Sequence, residues 1–131
     1  MNALGPTVYD RIGGEPGVAA LVRAFYDAVE QDPRLDALHR LHLRGHGVAH
    51  ARQEQFDFLS GFLGGPRLYV ERHGHSRLKD IHAHLHIDTV QRDLWLDGMR
   101  QAVAKAGFEP PLAELLLHRL SLAAEMVRNQ P

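Results

Sequence analysis

"IHAHLHIDTVQRDLW", residues 81–95, decides the fold, because its first half and second half read differently. From Ile81 to Ile87 apolar and polar residues alternate, the period of a strand, and His82, His84 and His86 would then share one face. Immediately after, Asp88 is followed three positions on by Gln91, the capping-box pattern that opens a helix. That helix runs through Val90, Leu94, Trp95, Met99 and Val103 and stops at Gly107. Seven alternating residues flanked by helices cannot build a sheet alone, so the stretch is predicted to connect helices. Its histidines form either a metal face or a single ligand with two bystanders, and the spacing allows both.

Helical periodicity continues in both directions. "EPGVAALVRAFYDAVEQ", from Glu15 to Gln31, follows a Gly13-Gly14 break and repeats Val18, Leu21, Val22, Phe25 and Val29 on one face. A short helix restarts after Asp32 with Pro33 in its first turn, and "RGHG" interrupts it. "HGVAHARQEQFDFLSGFLGG" carries Val48, Ala51, Gln55, Phe58, Leu59 and Phe62 on a predicted face before stopping at Gly64-Gly65-Pro66. Residues 66–80 show no sustained period and read as loop with one helical turn near Ser76. Pro110-Pro111 opens a last helix, apolar at Leu112, Leu115, Leu116, Leu122, Ala123, Met126 and Val127. No strand, repeat or low-complexity segment competes, and the fold class is all-α.

Composition narrows the chemistry. With 131 residues the chain is expected to be one domain, residues 1–131, with 1–7 a loose N-terminal extension. In a core of that size a prosthetic group would be a large share of the interior. The net charge of -1, with acids and bases interleaved, gives no pull toward nucleic acid or anionic membrane. The absence of cysteine excludes disulfides, thiolate metal sites and thiol catalysis, so any metal must be held by nitrogen or oxygen. No apolar run approaches the roughly 20 residues that span a bilayer, and "MNALGPTVYDRIGG" lacks the pattern of a signal peptide. A cytoplasmic protein is expected. Ten histidines are the compositional anomaly.

Helices of this number and length can surround a flat apolar cofactor, and candidate residues come from separate helices in chain order: Phe25 and Tyr26, Gln55 and Phe58, His82 before a capped helix, and Trp95 and Met99 beyond it. Three features then coincide in order: "YDRIGGEPGVAALVRAFY", "FDFLSGFLGGP" followed by "LYVERHGHSRL", and a histidine 13 positions before the tryptophan, His82 to Trp95. Together, over about residues 8–128, they resemble the truncated haemoglobins, the two-over-two variant of the globin fold, and within them the second group.

The resemblance implies a globin-like helical sandwich around haem b, iron protoporphyrin IX, with His82 as the iron ligand. Such a ligand needs a neutral imidazole whose other nitrogen is hydrogen-bonded. On the opposite side it implies Tyr26, Gln55 and Trp95 as distal donors, with His39 at the pocket edge. Each donor placed on a polar diatomic ligand would add about 1.5 to 3 kcal/mol, the range for hydrogen bonds to charged groups. Ala51 takes the place where ordinary globins put a distal histidine. The apolar residues implied against the porphyrin are Phe58, Leu59, Phe62, Leu85, Met99, Leu122 and Met126. Arg67, Tyr69, Arg77 and Lys79 are the candidates for the propionate rim, while Ile81 stands where the family often has arginine. His84 and His86 replace a usual proline and a less fixed residue.

Read without the family, Tyr26 and Trp95 are also good core residues, whereas Gln55 on an apolar face needs buried partners or costs several kcal/mol. His42, His46, His50, His73, His75 and His118 read as surface residues, with His46 and His50 one turn apart. No HExxH motif marks a hydrolytic zinc site.

The expected function is binding of dioxygen, carbon monoxide and nitric oxide, in oxygen transport or in redox turnover such as nitric oxide oxidation or peroxide reduction. Turnover would need a reductase partner. Monomer and homodimer are both compatible with the sequence. The rival expectations are a non-haem divalent-metal protein using His82 and His86 or His46 and His50, and a helical interaction module with incidental histidines.

Overall fold

The computed structural model describes residues 5–43, 48–83 and 85–131, and their side chains except those of 41–43, 48 and 49. The expectations for the side chains of His42, His46 and His84 therefore lie outside the described residues. Those residues form helices and connections only, with no strand among them.

Helix α1, Val8–Arg11, opens on a reciprocal cap in which Thr7 and Asp10 each accept the other's backbone N–H at 3.1 Å. Thr7, expected in a loose extension, is thus tied down, and Tyr9 N–H reaches Leu63 O at 2.9 Å. Gly13 and Gly14, at φ 106° and 67°, turn the chain into α2, Gly14–Gln31. The predicted face of α2 is the buried one, with Tyr26 added to it. Asp32 caps a 3₁₀ turn, Pro33–Leu35, by accepting Arg34 N–H at 3.0 Å, and α3, Asp36–Leu43, follows.

Helix α4, Val48–Phe62, departs from expectation in which side it buries. Asp57, Leu59 and Ser60 are buried, as is Leu63 just beyond, whereas Ala51, Gln55, Phe58 and Phe62 are half-buried. Its apolar residues cover more than one face, so sequence period alone could not choose between them. Residues 66–80 are not a loop with one turn: they carry α5, Leu68–His73, and the start of α6, Leu78–His82. Helices of six and five residues are too short to display a period. Gly74, at φ 83°, ends the first of them.

The capping box of α7, Thr89–Ala106, is as read: Asp88 Oδ1 accepts from Val90 N–H at 2.9 Å and Gln91 N–H at 3.2 Å, while Gln91 Oε1 accepts Asp88 N–H at 3.1 Å. Val90, however, is 59% exposed, because first-turn residues precede the packed stretch. Helix α8, Pro110–Val127, buries Leu116, Leu120, Ala123 and Ala124.

Helix α2 pairs with α4, α7 pairs with α8, and α2 packs across α7, so two helical pairs lie over one another. The crossing is close because Gly98 of α7 has no side chain there: a Cβ would lie 2.8 Å from Cε1 of Phe25. Phe25, Leu35, Met99 and Val103 belong to the core at this crossing. No helix of the described residues is long and apolar enough to cross a membrane.

Candidate functional site

His82 is the last residue of α6 and is half-buried. Its Nδ1 lies 2.9 Å from Leu78 O, one turn back. A carbonyl only accepts, so this contact places the proton on Nδ1 and, in the neutral ring, the lone pair on Nε2. That is the state a metal-ligating histidine needs, with orientation and tautomer fixed by a backbone partner.

His86 behaves differently. It is exposed, and its Nε2 is 3.4 Å from Asp88 Oδ2 at the start of α7. Among the described residues no group of three or more histidine or carboxylate side chains is arranged to hold a metal ion.

Tyr26 lies in the interior of α2, 1% exposed. Burial pushes its phenol pKa up, opposed in part by the charge of Arg52, so the hydroxyl stays protonated and able to donate at neutral pH. Arg52 of α4 stands over the ring, its guanidinium carbon 5.3 Å from the centroid, and pairs with Glu30 at 3.2 Å and Asp27 at 3.6 Å. Phe25 meets Tyr26 edge-on with centroids 4.8 Å apart and lies 5.8 Å from Trp95. One buried ring therefore touches both aromatic donors, one on α2 and one on α7. Gln55 follows Arg52 by three residues and is half-buried; His39 is half-buried on α3, which packs on α2, α4 and α7.

The apolar residues predicted against a porphyrin fall into two groups. Leu59 and Met99 are fully buried by the protein's own side chains, so they form support behind a surface. Phe58, Phe62 and Leu85 are half-buried; the two phenylalanines stack at 5.4 Å, and Tyr69, a half-buried rim candidate, stands edge-on to Phe58 at 6.3 Å. Leu122 and Met126, one turn apart on α8, are 48% and 49% exposed. Large apolar side chains repeated on one helical face in contact with water call for an apolar partner.

Of the predicted rim residues, Arg67 and Lys79 are exposed, whereas Arg77 is engaged by Asp80, Nε to Oδ2 at 2.6 Å. Burial, with a contribution from nearby Glu54, raises the pKa of Tyr69.

Two polar ties between α4 and α5 escaped sequence reading. Asp57, 1% exposed, accepts from Gln53 Nε2 at 2.9 Å through Oδ1; Arg72 Nη1 lies 3.2 Å from Oδ2 as a charge pair, without hydrogen-bond alignment. Glu54 holds His73 at 2.9 Å and stands 3.4 Å from His50, and the His73 ring lies 4.3 Å from that of Tyr69. The visible signal was an aspartate between two phenylalanines in "FDF". Asn129 near the C-terminus is another residue the sequence did not single out.

The bacterial-like globin family model matches residues 7–129. The group 2 truncated haemoglobin YjbI of Bacillus subtilis (strain 168) is 35% identical over 122 residues, 93% of this chain and 88% of its own. Among solved structures, the cold-adapted truncated haemoglobin of Pseudoalteromonas haloplanktis TAC125 is 35% identical with a TM-score of 0.89, covering 96% of this chain and 100% of its own. The group II 2-on-2 haemoglobin of Agrobacterium tumefaciens is 31% identical, also at 0.89, covering both chains in full.

Proposed function

Because this chain belongs to the bacterial-like globin family as a group II truncated haemoglobin, with the two-over-two fold of that group, we propose that it binds haem b through His82 Nε2 and takes dioxygen, with carbon monoxide and nitric oxide as further ligands. The observation that carries the reading is the Nδ1 contact to Leu78 O, which leaves the lone pair on the other nitrogen. Haem would supply, when bound, an iron centre able to take a diatomic ligand.

The residues present fit the group. His82 offers an imidazole whose Nδ1 is engaged by Leu78 O. Phe58, Phe62, Leu85, Leu122 and Met126 offer apolar surface that the protein leaves partly uncovered, with Leu59 and Met99 behind. Arg67, Lys79 and the Tyr69 hydroxyl are the groups we assign to the propionates; Arg77, held by Asp80, is the weaker partner. On the distal side Tyr26 and Trp95 donate an O–H and an indole N–H, Gln55 an amide N–H, and His39 lines the edge.

A site with two or three donors retains its ligand, which suits nitric oxide oxidation or peroxide reduction, each drawing its electrons from a cytoplasmic reductase, better than oxygen delivery. Rapid oxygen release together with no peroxide turnover would favour transport instead.

The absorption spectrum of the purified, haem-reconstituted chain tests the core of the reading. A Soret band that His82→Ala abolishes or shifts, and His86→Ala leaves alone, is expected. Failure to take up haem, or an unaltered spectrum in His82→Ala, overturns it.

A further inference from the structure

Between the last turn of α6 and the cap of α7, the described backbone is neither helical nor paired in a strand, so its polar groups need partners from elsewhere. Asn129, beyond the end of α8, supplies them. Its Nδ2 donates to Leu85 O at 2.8 Å and to His82 O at 3.3 Å, and its Oδ1 accepts Ile87 N–H at 2.9 Å. The backbone N–H groups of Asn129 and Gln130 both reach Ile87 O, at 2.9 and 3.1 Å. Carbonyls only accept and an N–H only donates, so the orientation of the amide is dictated by its partners. Both amide hydrogens and the oxygen are used on one short segment.

The arrangement matters because α6 has only five residues and cannot hold its own geometry. His82 ends it, and its carbonyl, which accepts Leu85 N–H at 3.0 Å in the turn that follows, takes Asn129 Nδ2 as a second donor at 3.3 Å. The side chain that carries the ligand nitrogen and the carbonyl that Asn129 grips belong to the same residue.

We propose that Asn129 is a positioning residue for His82: by clamping the main chain at His82, Leu85 and Ile87 to the segment just beyond α8, it sets the height and tilt of the imidazole that ligates the iron. The inference rests on His82 being that ligand. Neighbouring Arg128 is tied instead to Glu125, Nη2 to Oε1 at 2.6 Å, and to Gln130 O at 3.1 Å, and the bonds to His82, Leu85 and Ile87 are made by Asn129 and Gln130.

The haem-loaded full chain is compared with Asn129→Asp, Asn129→Ala and Arg128→Ala. The Asp variant keeps the acceptor for Ile87 N–H but faces two carbonyls with an oxygen; the Ala variant removes all three side-chain bonds. The readouts are the iron–histidine stretching band of the ferrous protein in resonance Raman spectra and the rate of haem loss to an excess of apoglobin. Both Asn129 variants are expected to shift or broaden the band and to lose haem about tenfold faster or more, the lower end of what outer-shell changes cost a metal site. Arg128→Ala is expected to leave both at wild-type values. An unmoved band and unaltered haem loss in both Asn129 variants overturn the proposal, as does an equal effect of Arg128→Ala, which would mean general loosening of the C-terminus. His82→Ala separates the premise: if it retains the iron–histidine band, the ligand assignment fails, whereas loss of the band there with silent Asn129 variants overturns the positioning role alone.

Discussion

At the scale of single residues, Tyr26 is a core side chain that, on the proposed function, also donates to a ligand. Its ring is enclosed by Phe25 and Arg52 and its hydroxyl stays protonated because burial disfavours the phenolate. Tyr26→Phe keeps the ring and removes only the donor, so oxygen release measured after rapid mixing is expected to speed up by about tenfold or more, the equivalent of one strong hydrogen bond. Gln55→Leu is expected to act in the same direction; unchanged rates in both variants would remove the distal-donor argument. Asp57 makes a different point. Arg72→Met leaves a buried carboxylate with Gln53 alone and is expected to cost about 2 kcal/mol in urea unfolding, below the roughly 3–5 kcal/mol for a fully buried pair because Arg72 is half exposed. Asp57→Asn, which removes the charge that needs the partner, is expected to cost less.

At the scale of elements, helix ends and helix crossings carry different information. The start of α7 was legible because a capping box is a local pattern, satisfied by residues three apart whatever the rest of the chain does. Asp88→Ala is expected to destabilise by about 1 kcal/mol, read as a lowered melting temperature. The short helices α5 and α6 were not legible, since they are held by contacts to α4 and α8 and by long-range polar ties. The α2–α7 crossing depends on Gly98, which in sequence is only a glycine inside a helix. Gly98→Ala would bring a methyl to 2.8 Å from the Phe25 ring, which touches both Tyr26 and Trp95. An overpacking cost of about 1–3 kcal/mol is expected in urea unfolding, together with altered ligand kinetics; wild-type values of both would show that the ring has room to move.

At the scale of the whole molecule, α7, α8 and the C-terminal segment are joined by an exposed charge cluster in which Glu125 pairs with Arg128 and Arg92. Hydrogen bonds from Arg128 and Arg92 lower the Glu125 pKa to about 2, from an ordinary 4.5. A carboxylate whose folded pKa is depressed contributes stability above its unfolded pKa and loses it as pH falls through the folded value. The contribution is therefore complete above about pH 4.5 and fades toward about pH 2. Glu125→Gln is expected to flatten the acid side of the stability curve in that window and to leave the difference between pH 6 and pH 8 unchanged, as measured by thermal melting across pH.

The sequence by itself determined the all-α class, the four long helices α2, α4, α7 and α8 with their start or stop signals, and the rejection of a strand at "IHAHLHI", whose Ile81 and His82 close α6. These are consequences of local periodicity and capping, which act over a few residues. Only the tertiary structure decided which face of α4 is buried, which apolar residues of α8 remain open, that Asp57 needs Arg72, and that Asn129 holds the His82 segment. The physical reason is common to all four. Whether an apolar face is covered, and where an unsatisfied polar group finds its partner, depends on what another part of the chain, in the last case more than forty residues away, brings alongside.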